Sequence, residues 1–195
     1  MRASLLIAVA GLAFAAAPKG PAPEPPTPPL AAWKDAIARL ASSSPAVRRG
    51  AVDEVAAVAL KLPDAITHLS AILLTDRDPA TRLAAANTLA EIGPSACVVS
   101  GRLAQALKDP DKAVRAAVAK ALGEMGPLMA DAVPALAAAL KDEDAVVRQK
   151  AATTLGCIGP GASAALPALR IASKSADKEL VWRAEKAIRK ILPKK

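Results

Sequence analysis

Aromatic residues are nearly absent from this 195-residue chain, which has one Phe, no Tyr and two Trp, together 2% of its residues. A core built on stacked rings is therefore excluded. Because 53% of the chain is hydrophobic, the core must come from Ala, Leu, Val and Ile, small side chains that let helices approach closely. Histidine occurs once, as His68, which excludes a metal centre made of several His. Cysteine occurs twice, as Cys97 and Cys157, so one disulfide is the most the chain can form. The leading apolar stretch, Leu5 to Phe14, is shorter than the roughly 20 residues a membrane-spanning helix needs.

What is present begins with that stretch. Arg2 gives a positive start, Leu5 to Phe14 an apolar run, and Ala13-Phe14-Ala15 a small-residue cleavage site, so residues 1–17 read as a secretory signal-peptide region cut after Ala15. The alternative site, Ala15-Ala16-Ala17, places Pro18 just after the cut, a poor position for processing. The expectation is an exported protein, periplasmic or secreted, with no transmembrane segment in the mature chain. Residues 18–29, PKGPAPEPPTPP, lack apolar periodicity and should form an extended, semi-rigid linker.

The remainder repeats itself. DPATRLAAANTLAEIGP (Asp78 to Pro94), DKAVRAAVAKALGEMGP (Asp111 to Pro127) and DAVVRQKAATTLGCIGP (Asp144 to Pro160) follow one another at intervals of 33 residues. Leu89, Leu122, Leu155 and Ile188 form one column at this spacing, and Ile92, Met125, Ile158 and Ile191 another, which places both on the buried face of a first helix. Gly93-Pro94, Gly126-Pro127 and Gly159-Pro160 should stop those helices, glycine through a left-handed cap and proline by forbidding continuation. Second helices follow, with Leu103, Leu136 and Leu169 in register and Pro134 and Pro167 in the first turn. The expected layout over 30–195 is a cap helix at 30–42, repeats at 44–75, 78–108, 111–141 and 144–174, and a terminal capping helix at 177–192. That makes about ten helices, with Trp33 covering the exposed end of the core. Such a unit cannot bury its apolar face without neighbours, so the fold class is all-α, a solenoid of antiparallel helix pairs.

The VR, AL-G, GP and VPAL elements, recurring together over Leu30 to Pro193, resemble HEAT repeats of the short bacterial, phycobilisome-lyase-like kind. Ankyrin's TPLH element is absent, and tetratricopeptides need aromatics this chain lacks. The resemblance implies a right-handed superhelix whose second helices line a concave, partner-holding side. By register the outward positions there are His68, Arg102, Gln105, Ala135, Ala138, Ala168 and Ile171. This floor is small and largely apolar, and suits a helix or extended chain. The expected function is therefore a non-catalytic scaffold, a monomer that binds a protein or peptide. A lyase-like accessory subunit is the remote alternative that the same resemblance raises.

Arg48, Arg82, Arg115 and Arg148 recur in register, the last three each four residues after an aspartate (Asp78, Asp111, Asp144). That spacing supports a helix and caps its start, and in the resembled family such acid–Arg ladders link successive repeats. The alternative is a row of cations reading phosphates. Cys97 begins a second helix and Cys157 ends a first helix two repeats on, beyond disulfide reach, so both are expected as buried free thiols.

No catalytic centre emerges, and neither a cofactor nor a metal is expected. The lone histidine excludes the paired His-Glu motifs of HEAT-fold hydroxylases. Ser175-Ala176-Asp177-Lys178 matches S-x-x-K without the companion motifs that chemistry needs. Gly159 to Ala164 imitates a dinucleotide loop but joins two helices. The net charge is +8, and Lys174 to Lys195 holds eight basic against three acidic residues. A basic patch of Lys186, Arg189, Lys190, Lys194 and Lys195 makes polyanion binding the alternative function. Solvation of a capping helix is the favoured reading of the patch, and the lack of aromatics beside the cations disfavours nucleic acid.

Overall fold

The computed structural model describes residues 30–59 and 63–192. The leader, the Pro-rich linker, Lys194, Lys195 and the side chain of Trp33 lie outside the described residues. The α-helical segments are α1 (Leu30–Arg39), α2 (Pro45–Ala59), α3 (Pro63–Thr75), α4 (Pro79–Ile92), α5 (Ser100–Ala106), α6 (Lys112–Met125), α7 (Val133–Ala139), α8 (Ala145–Ile158), α9 (Leu166–Ala172) and α10 (Lys178–Ile191).

They are not ten separate helices. Among the described residues they run as seven continuous helical stretches, because 3₁₀ turns at Gly93–Val99, Gly126–Ala132 and Gly159–Ala165 join α4 to α5, α6 to α7 and α8 to α9. A 3₁₀ turn stands where each Gly-Pro pair is expected to stop the helix: proline has a helical φ and no N–H to lose, so it starts such a turn easily. The glycine before it also differs from expectation. Gly93, Gly126 and Gly159 have φ of 64°, 65° and 70° with ψ near −136° to −138°. That is a region only glycine enters freely, not the left-handed helical cap. Where Leu192 replaces this glycine, the chain leaves α10 extended (φ −76°, ψ 134°).

Helix starts follow the aspartate column. Asp111 accepts from the N–H groups of Ala113 and Val114, Asp144 from Val146 and Val147, and Asp177 from Glu179 and Leu180. Asp78 accepts from Thr81 at 3.1 Å. Each cap answers backbone donors that the first turn leaves orphaned, and each is worth about 1 kcal/mol.

The helices form two layers. First helices α2, α4, α6, α8 and α10 contact one another in sequence, as do second helices α3, α5, α7 and α9. Ala85, Val118, Ala151 and Ala184, spaced by one repeat, are fully buried, and Leu103, Leu136 and Leu169 are fully buried in the second layer. Two glycines allow closer contact than any side chain would. A Cβ at Gly123 would stand 2.9 Å from Thr154 Oγ1, and one at Gly156 would stand 3.0 Å from Ala187 Cα. Thr154, buried on α8, donates to Ala119 O on α6 at 2.6 Å, a bond between neighbouring repeats.

At the end of the stack the same columns change character. Ala86, Ala119 and Ala152 are buried, whereas their repeat-equivalent Glu185 is exposed, and Ile188 is only half-buried where Leu89, Leu122 and Leu155 are fully so. The continuous stretch Ala145–Ala172 is long and apolar enough to cross a membrane by length and composition. It bends at Gly159, however, and buries Leu155, Ile158 and Leu169 inside the stack.

Candidate functional site

The second helices and the turns that follow them bring the sequence-predicted surface together. His68 on α3, Gln105 on α5, Ala138 on α7 and Ile171 on α9 are exposed, and Arg102, Ala135 and Ala168 are half-buried. A cleft of about 380 Å³ near the start of α5 is lined by Thr67, Arg102 and Gln105. A second, of about 520 Å³, is lined by Ala135 and Ala138 of α7 with Lys108 and Arg115. A third, of about 500 Å³, is lined by Ala168 and Ile171 of α9 with Lys141 and Arg148. Small side chains on α7 and α9 open these clefts. Lysine recurs at the edge of the second and third clefts, Lys108 at one and Lys141 and Lys174 at the other, all exposed and at one-repeat spacing.

Two members of the predicted set are already engaged within the protein. Arg102 Nη1 donates to Ser70 Oγ (2.8 Å) and Thr67 O (3.2 Å), tying α5 to α3. His68 Nδ1 lies 2.8 Å from Asp64 O, one turn earlier on its own helix.

The arginine column is structural, though not in the way its i, i+4 spacing suggests. Asp78, Asp111 and Asp144 cap helices, and a second acid column, Asp76, Asp109 and Asp142, receives the guanidinium groups. Arg82 Nε and Nη2 donate to the two oxygens of Asp109 at 2.7 and 2.8 Å, while its Nη1 donates to Asp76 O at 2.9 Å. Arg115 repeats this with Asp142 (2.8 and 2.8 Å) and Asp109 O (3.0 Å), and Arg48 with Asp76 (2.6 and 2.8 Å) and Ser42 O (2.9 Å). Each arginine thus clamps the turn before its own first helix to the turn after its second. The planar fork suits this two-sided grip, which a lysine could not make. A spacing of 27 or 28 residues carries no local signal, so the sequence pointed to the nearer aspartates instead.

Electrostatics follow the geometry. The bond to Asp109 raises Arg82 above its ordinary pKa against the opposing effect of burial, and the bond to Asp142 does the same for Arg115. Burial pushes the Asp76 carboxyl up, but the Arg48 guanidinium and the Asp78 N–H outweigh it and hold the group below the usual carboxylate range.

In the last repeat the position of Asp76, Asp109 and Asp142 is Ser175. Arg148 keeps its grip on the backbone, donating to Asp142 O (2.8 Å) and Glu143 O (2.9 Å). Among the described residues its only carboxylate contact is Asp177 Oδ2 at 3.7 Å, too long for a hydrogen bond.

The cysteines are free, as expected, but not both buried: Cys97 is half-buried and Cys157 is exposed. Cys157 shares its column with Glu91 and Glu124, two exposed residues, and that column marks the outer side of the first helices. On α10, Lys186, Arg189 and Lys190 are exposed. An aromatic does stand beside these cations, contrary to expectation. Half-exposed Trp182 has Lys186 Nζ 4.7 Å and the Arg183 guanidinium 5.9 Å from its ring centre. No group of three or more His, Cys, Asp or Glu that could hold a metal occurs among the described residues.

Comparison with known proteins agrees with this architecture. A family model described as HEAT repeats matches residues 34–98 and 100–189. Among solved structures, the CpcE–CpcF complex of phycocyanin lyase from Nostoc sp. PCC7120 aligns with a TM-score of 0.64 and 23% identity, over 90% of this chain and 70% of that one. A designed armadillo repeat protein in complex with the peptide (KR)4 aligns with a TM-score of 0.64 and 18% identity, over 83% and 82% of the two chains. Human deoxyhypusine hydroxylase aligns with a TM-score of 0.53 and 21% identity, over 83% and 74%. At these identities the likeness is one of fold alone. No curated protein matches the sequence.

Proposed function

The chain belongs to the HEAT repeat family, and from that premise we propose that it is a non-catalytic scaffold holding a protein or peptide on the face of its second helices. The observation that carries this reading is the pair of clefts along α7 and α9, floored by Ala135, Ala138 and Ala168 and edged by Lys108, Lys141 and Lys174. A floor of alanines admits a partner's backbone or aliphatic side chains, and evenly spaced lysines favour a partner carrying carboxylates. A structural neighbour at 18% identity was solved with a peptide bound, which shows that this kind of fold accommodates one. Residues 1–17 and the Pro-rich run at 18–29 support an exported protein whose solenoid is held on a tether.

The test is capture of a partner by the full chain, repeated with Ala138→Arg, which fills the α7 cleft without touching the core. The expected result is a defined partner whose retention is lost in the variant while the helical circular dichroism is unchanged. Retention that survives Ala138→Arg, but disappears with added salt and in Lys186→Glu/Lys190→Glu, would transfer the function to α10. That second reading, binding of a polyanion, is favoured by one observation, the placement of Trp182 against Lys186 and Arg183.

A further inference from the structure

The three complete clamps show what the fourth lacks. In each, one carboxylate does two jobs: it takes Nε and Nη2 of the arginine, and it accepts the backbone N–H two residues later. Asp76 accepts from Asp78 N, Asp109 from Asp111 N and Asp142 from Asp144 N, at 2.8, 2.8 and 2.9 Å. Ser175 does only the second job, its Oγ accepting from Asp177 N at 3.2 Å. The Arg148 Nε consequently has no partner among the described residues, and its side chain is 24% exposed where those of Arg82 and Arg115 are 10% and 8%.

Arg148 lines the cleft of about 500 Å³ between α7 and α9. Three more cations line it, Lys141, Arg170 and Lys174, and no carboxylate does. The corresponding cleft one repeat earlier is lined by Arg115 together with Asp109, Asp142 and Glu143. With Ser175 and Ala176 at the repeat positions of Asp142 and Glu143, and Arg170 at that of Ala137, the last cleft is cationic where the earlier one carries more carboxylates than cations. Apart from Ser175, the rest of its lining is aliphatic, with Leu140, Leu180 and the 65% exposed Ile171.

We propose that this cleft binds the free C-terminal carboxylate of a peptide ending in an aliphatic residue, the carboxylate taking the place that Asp76, Asp109 and Asp142 fill in the earlier turns. A planar carboxylate matches the open edge of the guanidinium, as the three internal examples show. Lys141, Arg170 and Lys174 strengthen its attraction, and the aliphatic wall receives the terminal side chain. A carboxylate on a longer polar arm leaves that wall empty. The proposal deepens the reading of the second-helix face and rests on it for the ligand being a peptide.

The test uses the full chain labelled with ¹⁵N-arginine and the probe acetyl-Gly-Ser-Gly-Ala-Leu, as free acid and as C-terminal amide, alongside inorganic phosphate. The free acid is expected to shift the Arg148 Nε–H resonance saturably and to bind about tenfold or more tightly than the amide. Ser175→Asp supplies the missing carboxylate from within, so it is expected to abolish the shift and to raise the melting temperature. Lys141→Ala/Arg170→Ala, two exposed positions, is expected to weaken binding severalfold and serves if Ser175→Asp does not fold. Equal binding of acid and amide, tighter binding of phosphate, or an undiminished response in Ser175→Asp would overturn the proposal. Because Ala138→Arg lies in the neighbouring cleft, its result judges the face as a whole independently of this site.

Discussion

Removing one carboxylate from a complete clamp tests whether the clamps hold the stack together. Asp142→Ala deletes both acceptors of Arg115 Nε and Nη2, each at 2.8 Å, and the acceptor of Asp144 N at 2.9 Å. The Arg115 side chain is 8% exposed, so little water replaces what is lost. Stranding a buried charge in this way costs about 3–5 kcal/mol. Two features lower the figure here: Arg115 keeps the carbonyls of Asp109 and Pro110, and Glu143 Oε1, 3.2 Å away on a side chain that is 86% exposed, can swing closer. The expected loss is therefore about 3 kcal/mol, near the lower end of that range. Urea denaturation followed by circular dichroism measures it, and hydrogen exchange should show the largest increase in the turns at 108–111 and 141–144. Lys112→Ala is the control, since its 3.5 Å contact with Asp144 involves a side chain that is 72% exposed, and it should cost less than about 1 kcal/mol. A loss below about 1 kcal/mol for Asp142→Ala would refute the view that these clamps fix the repeats.

Two further outcomes follow from the geometry and a third from the sequence. Gly156→Ala puts a Cβ 3.0 Å from Ala187 Cα, so overpacking of about 1–3 kcal/mol should outweigh alanine's helix preference of about 1 kcal/mol, whereas Gly50→Ala on α2, with open space around it, should stabilise the protein in the same denaturation assay. Acid should unfold the chain by titrating carboxylates held low by the fold: Asp78 by the Thr81 hydroxyl, Asp177 by the Leu180 N–H, Asp144 by backbone donors that outweigh its burial, and Asp76 as described. Folded pKa values below the unfolded ones give stability that is complete above the ordinary carboxylate value and lost as pH falls through the folded values, so a pH titration of the melting temperature should drop below about pH 4. If residues 1–17 are a leader cut after Ala15, N-terminal sequencing of the exported protein should begin at Ala16.

The scaffold was legible because its signals are periodic. Leu122 and Met125 belong to columns that repeat every 33 residues, and a column of aliphatics at fixed spacing has few readings other than a stacked core. Local spacing served less well. The i, i+4 pairing of Asp111 with Arg115 is a sound helix rule, yet a bidentate carboxylate 27 residues on, Asp142 in the turn after α7, satisfies the guanidinium better. The column Asp76, Asp109, Asp142 and its break at Ser175 were visible in the repeat map, but nothing local marks them as partners of arginine. Gly123 and Gly156 share a column too, and their role as close-contact points appears only once α6, α8 and α10 are set side by side. The exposure of Cys157 could have been read from Glu91 and Glu124 at its repeat-equivalent positions. The face of the second helices came from the family resemblance, and which of its members are free to meet a partner needed the structure, since Arg102 is tied to Ser70 and Thr67.

Photo-crosslinking tests the use of that face most directly. A crosslinking residue placed in turn at Gln105, Ala138 and Ile171 on the second helices, and at Lys120, Glu124 and Thr153 on the outer side of the first helices, samples exposed positions on both layers. Irradiated with the native partner present, the first three are predicted to give one saturable adduct that unlabelled protein competes away, and the last three none. Adducts confined to Lys120, Glu124 and Thr153 would contradict the account.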